Sequence, residues 1–295
     1  MNPPNSSNPT SKILCIVGPT AGGKSRLAME VARRYDGEII CADSQTIRRG
    51  LDIGTAKPST KDQQLIAHHM LDIIGPYERF SAADFKTRAG DIIEQIRNKG
   101  KLPILVGGTG LYIDALLYDF SFRKTADPAI RSELEELSVT ELQQRITDKG
   151  LALPTNAQNP RHLIRTLESK GVSVLNKKMR QDAVVIGVDP KEKLDANIAR
   201  RVEDMLRSGF VHEVFEVLRK FGQAPQSWDA IGYKLVLAAG KQEADVDVDY
   251  IRRALATAHR QYAKRQRSWF KRNKHITWFE QPEDALEYLE NIFVQ

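Results

Sequence analysis

The sequence predicts an α/β fold, with a parallel sheet, helices on both faces of the sheet and an all-helical insertion. Three features of the chain support this prediction. Short apolar segments alternate with amphipathic helical segments, as in parallel sheets that are covered by helices. A glycine-rich turn joins the first apolar segment to the first helix. A long helical interval separates the last two apolar segments.

The predicted strands are the apolar segments at 12–17, 37–42, 102–106 and 184–188. The first strand is followed by a predicted helix at 25–34, in which apolar side chains recur with helical spacing. The chain is also predicted to be helical from 190 to 272, with a helix stop at Gly209.

The interval between the third and fourth strands is much longer than one crossover connection needs. It contains helical patterns at 128–137, 140–149 and 160–170 and little strand signal. We therefore predict a helical insertion at 123–182. The α/β core is then expected at 12–122 and 183–295.

The start of the chain, residues 1–11, is rich in Asn, Pro and Ser and predicts a disordered tail. No apolar run approaches the roughly 18 residues of a transmembrane helix, so we expect no membrane partner. Cys15 and Cys41 fall inside predicted strands, which favours buried core thiols and a cytoplasmic location. The formal net charge of +6 mildly favours a polyanionic partner.

The glycine-rich turn has the sequence GPTAGGKS and matches the phosphate-loop pattern G-x-x-x-x-G-K-[ST] between a strand and a helix. Its members are Gly18, Pro19, Thr20, Ala21, Gly22, Gly23, Lys24 and Ser25. We expect the amides of Thr20 to Gly23 and the Lys24 ammonium to hold phosphate oxygens, and the Ser25 hydroxyl to bind Mg²⁺ directly or through water.

A phosphate loop does not specify a reaction, and a kinase or a GTPase is the default class. The GTPase motif Asn-Lys-x-Asp is not matched, because residues 176–179 (NKKM) lack the Asp. Asp43 directly follows the second strand and is expected at the sheet edge beside the phosphate loop. There its carboxylate is either a general base or the cap of the following turn, and position alone does not separate these roles.

Further motifs give the chain a resemblance to the tRNA dimethylallyltransferase (tRNA isopentenyltransferase) family, bacterial type. In order, they are DS at 43–44, GLDIGTAKP at 50–58, HHMLD at 68–72, SAADF at 81–85, GGTGLY at 107–112, NPRH at 159–162, IGYK at 231–234 and RQYAKRQ at 260–266. The family transfers a dimethylallyl group from dimethylallyl diphosphate to N6 of the adenosine 3′-adjacent to the tRNA anticodon. The resemblance implies that the phosphate loop holds the diphosphate of the prenyl donor, with Mg²⁺ as cofactor.

The resemblance also implies roles for individual residues. Asp43, Lys24, Thr109 and Arg201 are the expected catalytic residues, with Asp43 as general base on N6. Of the expected contacts to the tRNA anticodon stem-loop, the family motifs supply Asp43, Ser44, Gln45, Thr46, Thr109, Gly232, Tyr233 and Lys234. The charge pattern of one helix adds Arg260, Lys264 and Arg267. Further candidates in the insertion, each of which could also be ordinary helix surface, are Arg131, Arg161, His162 and Arg165. A monomer with no obligatory protein partner is expected. A small-molecule kinase and a non-catalytic RNA-binding module remain the alternatives.

A helix near the C-terminus has an unusual charge pattern. At about 100° per residue, Arg260, Lys264 and Arg267 fall on one basic stripe, opposite an apolar arc. No acidic residue lies between 254 and 275, which favours contact with phosphate backbone over a solvated face. Arg265 falls within the apolar arc and is expected to point inward, and Arg48 stands where the family usually has Tyr.

Overall fold

The computed structural model describes residues 11–120, 128–168, 178–222 and 229–293. Apart from Ser11, the predicted disordered tail lies outside these residues. So do parts of the predicted insertion, at 121–127 and 169–177. The described residues fall into two compact units. One is built within Met1–Leu117 and Arg180–Gln295, and the other within Tyr118–Met179.

The first unit is a six-stranded sheet flanked by helices, in which all pairings of the described strands are parallel. The strand order is β3-β2-β4-β1-β5-β6. The strands are β1 (Ile13–Val17), β2 (Gly37–Cys41), β3 (His68–His69), β4 (Leu102–Val106), β5 (Ala183–Val188) and β6 (Thr277–Phe279). The predicted α/β class is thus confirmed. The carboxyl ends of the central strands β2, β4 and β1 share one edge, where open α/β sheets bind ligands.

Two of these strands, β3 and β6, were not predicted from the sequence. They are two and three residues long and only partly buried at the two edges of the sheet. Edge strands this short carry no apolar run, because they bury little side-chain surface.

The helices of the first unit are α1 (Lys24–Arg34), α2 (Thr60–Leu65), α3 (Ala82–Asn98), α4 (Gly110–Leu117), α8 (Leu194–Arg207), α9 (Phe210–Phe221), α10 (Tyr233–Ala239), α11 (Val248–Phe270) and α12 (Pro282–Phe293). Helices α3 and α2 begin with a Ser–Asp capping box, which satisfies amides that a helix start leaves without partners. In the predicted helical stretch from 190 to 272, the described residues form four α-helices, with Gly209 between α8 and α9.

The second unit contains α5 (Pro128–Glu135), α6 (Val139–Asp148) and α7 (Pro160–Glu168), and its described residues include no strand. These helices share an apolar cluster of their own, formed by Leu134, Leu142, Ile146, Leu163, Ile164 and Leu167. Its core explains why the insertion forms a compact unit. In neither unit is a described helix both long and apolar enough for a membrane span.

Candidate active site

The phosphate loop connects β1 to α1, and the N-terminus of α1 leaves backbone amides free. Gly23 precedes the helix with φ 93, a left-handed conformation that glycine adopts at little cost. Helix α1 has no side-chain cap and no acidic residue in its first turn. The amides of Gly23, Lys24 and Ser25 therefore form a site suited to an anion.

Two other loop amides are already engaged, which corrects part of the expectation for this loop. The amide of Thr20 donates to Gln266 Oε1 at 2.7 Å, and the amide of Gly22 donates to Pro19 O at 3.1 Å. A donor held inside the protein is not free for phosphate. The amides available to an anion are therefore those at the start of α1, and not those of Thr20 and Gly22.

Two cations stand close together at this loop. Burial and, secondly, the positive charge of Arg201 on α8 lower the pKa of Lys24 to about 7, against the opposing effect of Asp43. The Lys24 ammonium meanwhile donates to Pro19 O at 2.7 Å. Burial also lowers the pKa of Arg201, whose Nε has no hydrogen-bond partner among the described residues. Lys24 and Arg201 are both partly buried. Two neighbouring cations repel each other, and a bound anion would relieve that repulsion.

Asp43 forms the turn that follows β2. Its Oδ1 accepts from the amides of Gln45 at 2.8 Å and Thr46 at 3.3 Å, so the carboxylate does cap the turn. Its Oδ2 has no hydrogen bond from any described residue. The cap and the general base are therefore compatible, because each role uses a different oxygen of one carboxylate.

Thr109 connects the ends of β4 and β2. Its Oγ1 accepts from the amide of Ser44 at 3.1 Å, and its own amide donates to Ala42 O at 3.3 Å. The carbonyl of Thr109 also accepts from Tyr112 and Ile113 at the start of α4. The Thr109 carbonyl thus supports the first turn of α4, while the Thr109 side chain holds the segment that contains Asp43.

Gln266 on α11 bridges the phosphate loop and the loop after β4. Besides accepting from Thr20, it donates through Nε2 to Gly108 O at 3.1 Å, and its side chain is 4% exposed. A Cβ at position 108 would lie 1.9 Å from Gln266 Nε2, so only glycine permits this approach. Burial raises the pKa of the neighbouring Tyr262 hydroxyl, and the polar side chains of Thr109 and Gln266 oppose this effect. Helix α11 therefore sets the spacing of the two loops.

One cavity of about 240 Å³ joins these groups. Its lining includes Thr20, Lys24, Ser25, Asp43, Ser44, Gln45, Thr46, Arg201, His259, Tyr262, Arg265 and Gln266. The structure thus brings the expected phosphate loop, the Asp43 segment and Arg201 to one place. Thr109 is not part of the lining but accepts a hydrogen bond from the amide of Ser44, which is. Apolar side chains, such as Ile39 and Val106, line the same cavity, which suits a ligand with both charged and apolar parts.

The loop at 51–58 forms a wall of the cavity and is held by Glu213 on α9. This carboxylate accepts from the amides of Asp52, Ile53 and Gly54 at 2.7–2.9 Å. It also accepts from the Tyr233 hydroxyl at 2.6 Å. Tyr233 is 0% exposed, so its side chain cannot touch RNA in this conformation. We therefore revise its expected role from tRNA contact to support of Glu213.

The neighbours of Tyr233 have local roles as well. Gly232 is the N-terminal boundary of α10, where a Cβ would meet Leu255 at 2.3 Å. Lys234 is exposed and pairs with Asp229 at 2.9 Å.

The expected basic stripe on α11 is less free than the sequence predicts. Arg267 forms two bonds to Asp189, one of them from Nε at 2.8 Å, and Arg260 pairs with Asp195 at 3.2 Å. The absence of acidic residues within 254–275 therefore does not leave these two side chains without acidic partners. Both aspartates come from another part of the chain, which a scan along one helix does not include. Lys264 is exposed and has no ion-pair partner among the described residues.

Two other arginines have contacts that the sequence did not decide. Arg265 is exposed and stacks over the Tyr262 ring at 5.6 Å, where it lines the cavity instead of entering the core. Arg48 is 7% exposed and donates to the carbonyls of Gly75, Pro76 and Glu78. It tethers a loop and does not present its guanidinium to a ligand.

The expected insertion contacts, Arg131, Arg161, His162 and Arg165, all lie in the second compact unit. Arg161, His162 and Arg165 are exposed on α7. Arg131 is engaged with Glu135 at 2.9 Å and Glu168 at 3.3 Å within the unit.

Sequence reasoning missed His259, Gln266 and Glu213 as site residues. His259 and Gln266 are polar residues seven positions apart on the buried face of α11, and that pattern is a usable signal. Glu213 carries no such signal, because its partners are backbone amides of a distant loop.

The family model for IPP transferase matches residues 46–273. The tRNA dimethylallyltransferase of Oceanobacillus iheyensis is 38% identical, with 90% of each chain covered. The solved tRNA isopentenylpyrophosphate transferase of Bacillus halodurans is 32% identical, with a TM-score of 0.71 over 96% of this chain and 97% of that one. A eukaryotic dimethylallyltransferase acting on tRNA, at 23% identity and TM-score 0.76 over 96% and 77% of the chains, shares the fold. The chain therefore belongs to the IPP transferase family.

Proposed function

We propose that this enzyme transfers a dimethylallyl group from dimethylallyl diphosphate to N6 of the adenosine 3′-adjacent to the anticodon in tRNA. One observation carries the proposal. A single cavity combines an anion site and two cations with a carboxylate that keeps one oxygen free. The names of the relatives, tRNA dimethylallyltransferase, support the same reaction. A small-molecule kinase is not favoured by these relatives.

The donor's diphosphate is assigned to the start of α1. The amides of Gly23, Lys24 and Ser25 donate to its oxygens, and Lys24 and Arg201 supply positive charge. As the allylic carbon–oxygen bond breaks, negative charge grows on the leaving diphosphate. Donors that are already in place stabilise this charge without reorganisation.

Mg²⁺ fits beside this anion. The Ser25 hydroxyl is exposed in the first turn of α1 and lines the cavity. The described residues hold no cluster of three His, Cys, Asp or Glu side chains for a metal, so diphosphate oxygens and waters would complete the coordination. When bound there, Mg²⁺ would neutralise part of the diphosphate charge.

The nucleophile is assigned to a position beside Asp43, which lines the same cavity as Lys24 and Arg201. The N6 amine is a poor nucleophile, because its lone pair is delocalised into the adenine ring. Asp43 Oδ2 accepts one N6 proton while Oδ1 remains bonded to the amides of Gln45 and Thr46. Thr109 fixes this turn through Ser44.

The reaction balances with these groups alone. The bond between N6 and the allylic carbon forms, and the carbon–oxygen bond of the donor breaks. One proton moves from N6 to Asp43, and the electron pair of the broken bond leaves with the diphosphate.

The tRNA is proposed to contact exposed basic residues outside the cavity as well as the cavity itself. A base stacked in the anticodon loop must be flipped out to reach Asp43, which costs less in a loop than in a duplex. Ser44, Gln45 and Thr46 line its entry. Lys264, with Arg260 in a secondary role, and the exposed side chains of Arg161, His162 and Arg165 are assigned to the RNA backbone. Arg267 is not assigned to RNA, because its guanidinium is paired with Asp189.

A monomeric enzyme in the cytoplasm is part of the proposal. The expected location of the tRNA substrate and two buried free thiols, Cys15 and Cys41, support it. Size-exclusion chromatography with light scattering tests the oligomeric state.

The test uses labelled dimethylallyl diphosphate and a synthetic anticodon stem-loop, followed by digestion to nucleosides. We expect labelled N6-dimethylallyladenosine, and none when guanosine replaces the adenosine 3′-adjacent to the anticodon. A parallel reaction with ATP and no prenyl donor is the kinase control. RNA binding with no labelled nucleoside would favour the non-catalytic module and contradict the proposal.

A further inference from the structure

The buried polar atoms without a hydrogen-bond partner are concentrated around the cavity. Among the described residues, six buried side-chain atoms have no partner, and four of them belong to Gln45, Arg201 and His259. All three residues line the cavity. Buried polar atoms are nearly always hydrogen-bonded, so several unpartnered ones around one space indicate a polar ligand.

His259 contributes both of its ring nitrogens to this set. It lies on the buried face of α11 and is 2% exposed. Burial and, secondly, the charge of Arg201 lower its pKa to about 3. At neutral pH the ring is therefore uncharged, with one N–H donor and one acceptor nitrogen.

The neighbours of His259 identify the chemical class of that ligand. Arg201 acts electrostatically on both His259 and Lys24, and all three residues line the cavity. Lys24 is the first residue of α1, where the phosphate loop meets the helix. A ring N–H donor beside two cations is complementary to an anionic oxygen, which the cations attract as well.

We propose that His259 contacts the bound substrate, its ring N–H donating a hydrogen bond to an oxygen of the diphosphate beside Lys24 and Arg201. This inference rests on the proposed function, because it assigns a further contact to the prenyl donor. It makes α11 a contributor to leaving-group binding, in addition to its role in spacing the loops.

A contact between His259 and the diphosphate predicts that replacing His259 changes ligand affinity but not protein stability. His259→Leu removes the donor and also removes two unpartnered buried nitrogens. Replacing such groups by an apolar side chain of similar size leaves stability unchanged or raises it. The free protein should thus keep its Tm, while affinity for diphosphate falls. A purely structural histidine would show the opposite combination.

The experiment is calorimetric titration with inorganic pyrophosphate and Mg²⁺ at pH 7.5. For His259→Leu we expect the Kd to rise roughly ten- to hundred-fold, the range for one hydrogen bond to a charged group. His259→Gln keeps an N–H donor and should recover part of the loss. His212→Leu, at an exposed histidine on α9, is the matched control and should bind like the wild type.

Two outcomes would overturn the inference. One is wild-type affinity for pyrophosphate in His259→Leu, which would mean that water alone satisfies the imidazole. The other is weakened binding of the anticodon stem-loop with unchanged pyrophosphate affinity, which would place His259 on the RNA side. Failure of the proposed function is distinguishable, because it appears in the wild type as pyrophosphate binding without prenylated adenosine.

Discussion

Replacing Gln266 by Leu removes the only described side chain that hydrogen-bonds to both the phosphate loop and the loop after β4. Gln266 Oε1 accepts from the amide of Thr20, and Nε2 donates to Gly108 O. Leucine has a similar volume, so little packing is lost. The substitution leaves one buried amide and one buried carbonyl without their partners.

The magnitude follows from these two groups. Each buried polar group left without a partner costs about 1–3 kcal/mol, so the variant should lose about 2–6 kcal/mol of unfolding free energy. In a unit of this size, each kcal/mol lowers the Tm by roughly 2–4 °C. We therefore expect a Tm decrease of at least about 4 °C.

Urea denaturation and thermal melting measure the loss, and calorimetry measures the affinity for dimethylallyl diphosphate. The affinity should fall as well, because the freed phosphate loop must be ordered on binding. Gln261→Leu, at an exposed glutamine on the same helix, is the matched control. If Gln266→Leu has the stability and the affinity of Gln261→Leu, the bridging role is refuted.

Two further predictions concern charges. The Lys24 pKa is about 7 in the free enzyme, and a bound diphosphate raises it, so the complex holds more protons than the free enzyme above pH 7. Affinity should thus fall as pH rises above 7, by up to about tenfold per pH unit, and calorimetry at pH 8 in two buffers should show uptake of about one proton. Lys24→Met should take up none, and absence of uptake in the wild type would contradict the assignment. Arg267→Gln breaks the paired contact with Asp189 and should cost about 1–3 kcal/mol in urea denaturation. Lys264→Gln should change the free energy of unfolding by no more than about 0.5 kcal/mol. Equal losses of stability in Arg267→Gln and Lys264→Gln would show that the pair of Arg267 with Asp189 is unimportant.

The parts of the fold that the sequence predicts are those with local signals. The central strands are apolar runs, and the phosphate loop is a contiguous motif between a strand and a helix. Asp43 is placed correctly at the sheet edge because it lies two residues after the end of β2. The location of residues that follow neighbouring parallel strands can be predicted, because the carboxyl ends of these strands lie at the same edge of the sheet.

The parts that the sequence does not predict depend on contacts between distant segments. The pair of Arg267 with Asp189 and the bond of Gln266 to Thr20 join residues 78 and 246 positions apart. Helical periodicity identifies which side of α11 is buried, but not what that side meets. For the same reason Tyr233, in a recognisable motif, was assigned to RNA although its hydroxyl supports Glu213.

The most direct test of the account is the single-turnover rate of Asp43→Asn. Asparagine keeps an oxygen for the amides of Gln45 and Thr46, so the turn is preserved while the proton acceptor is lost. With labelled dimethylallyl diphosphate and the anticodon stem-loop, we expect the transfer rate to fall by roughly 10²–10⁴, with both substrates bound within about threefold of wild type. A transfer rate within about threefold of wild type would mean that Asp43 only caps the turn, and would contradict the account.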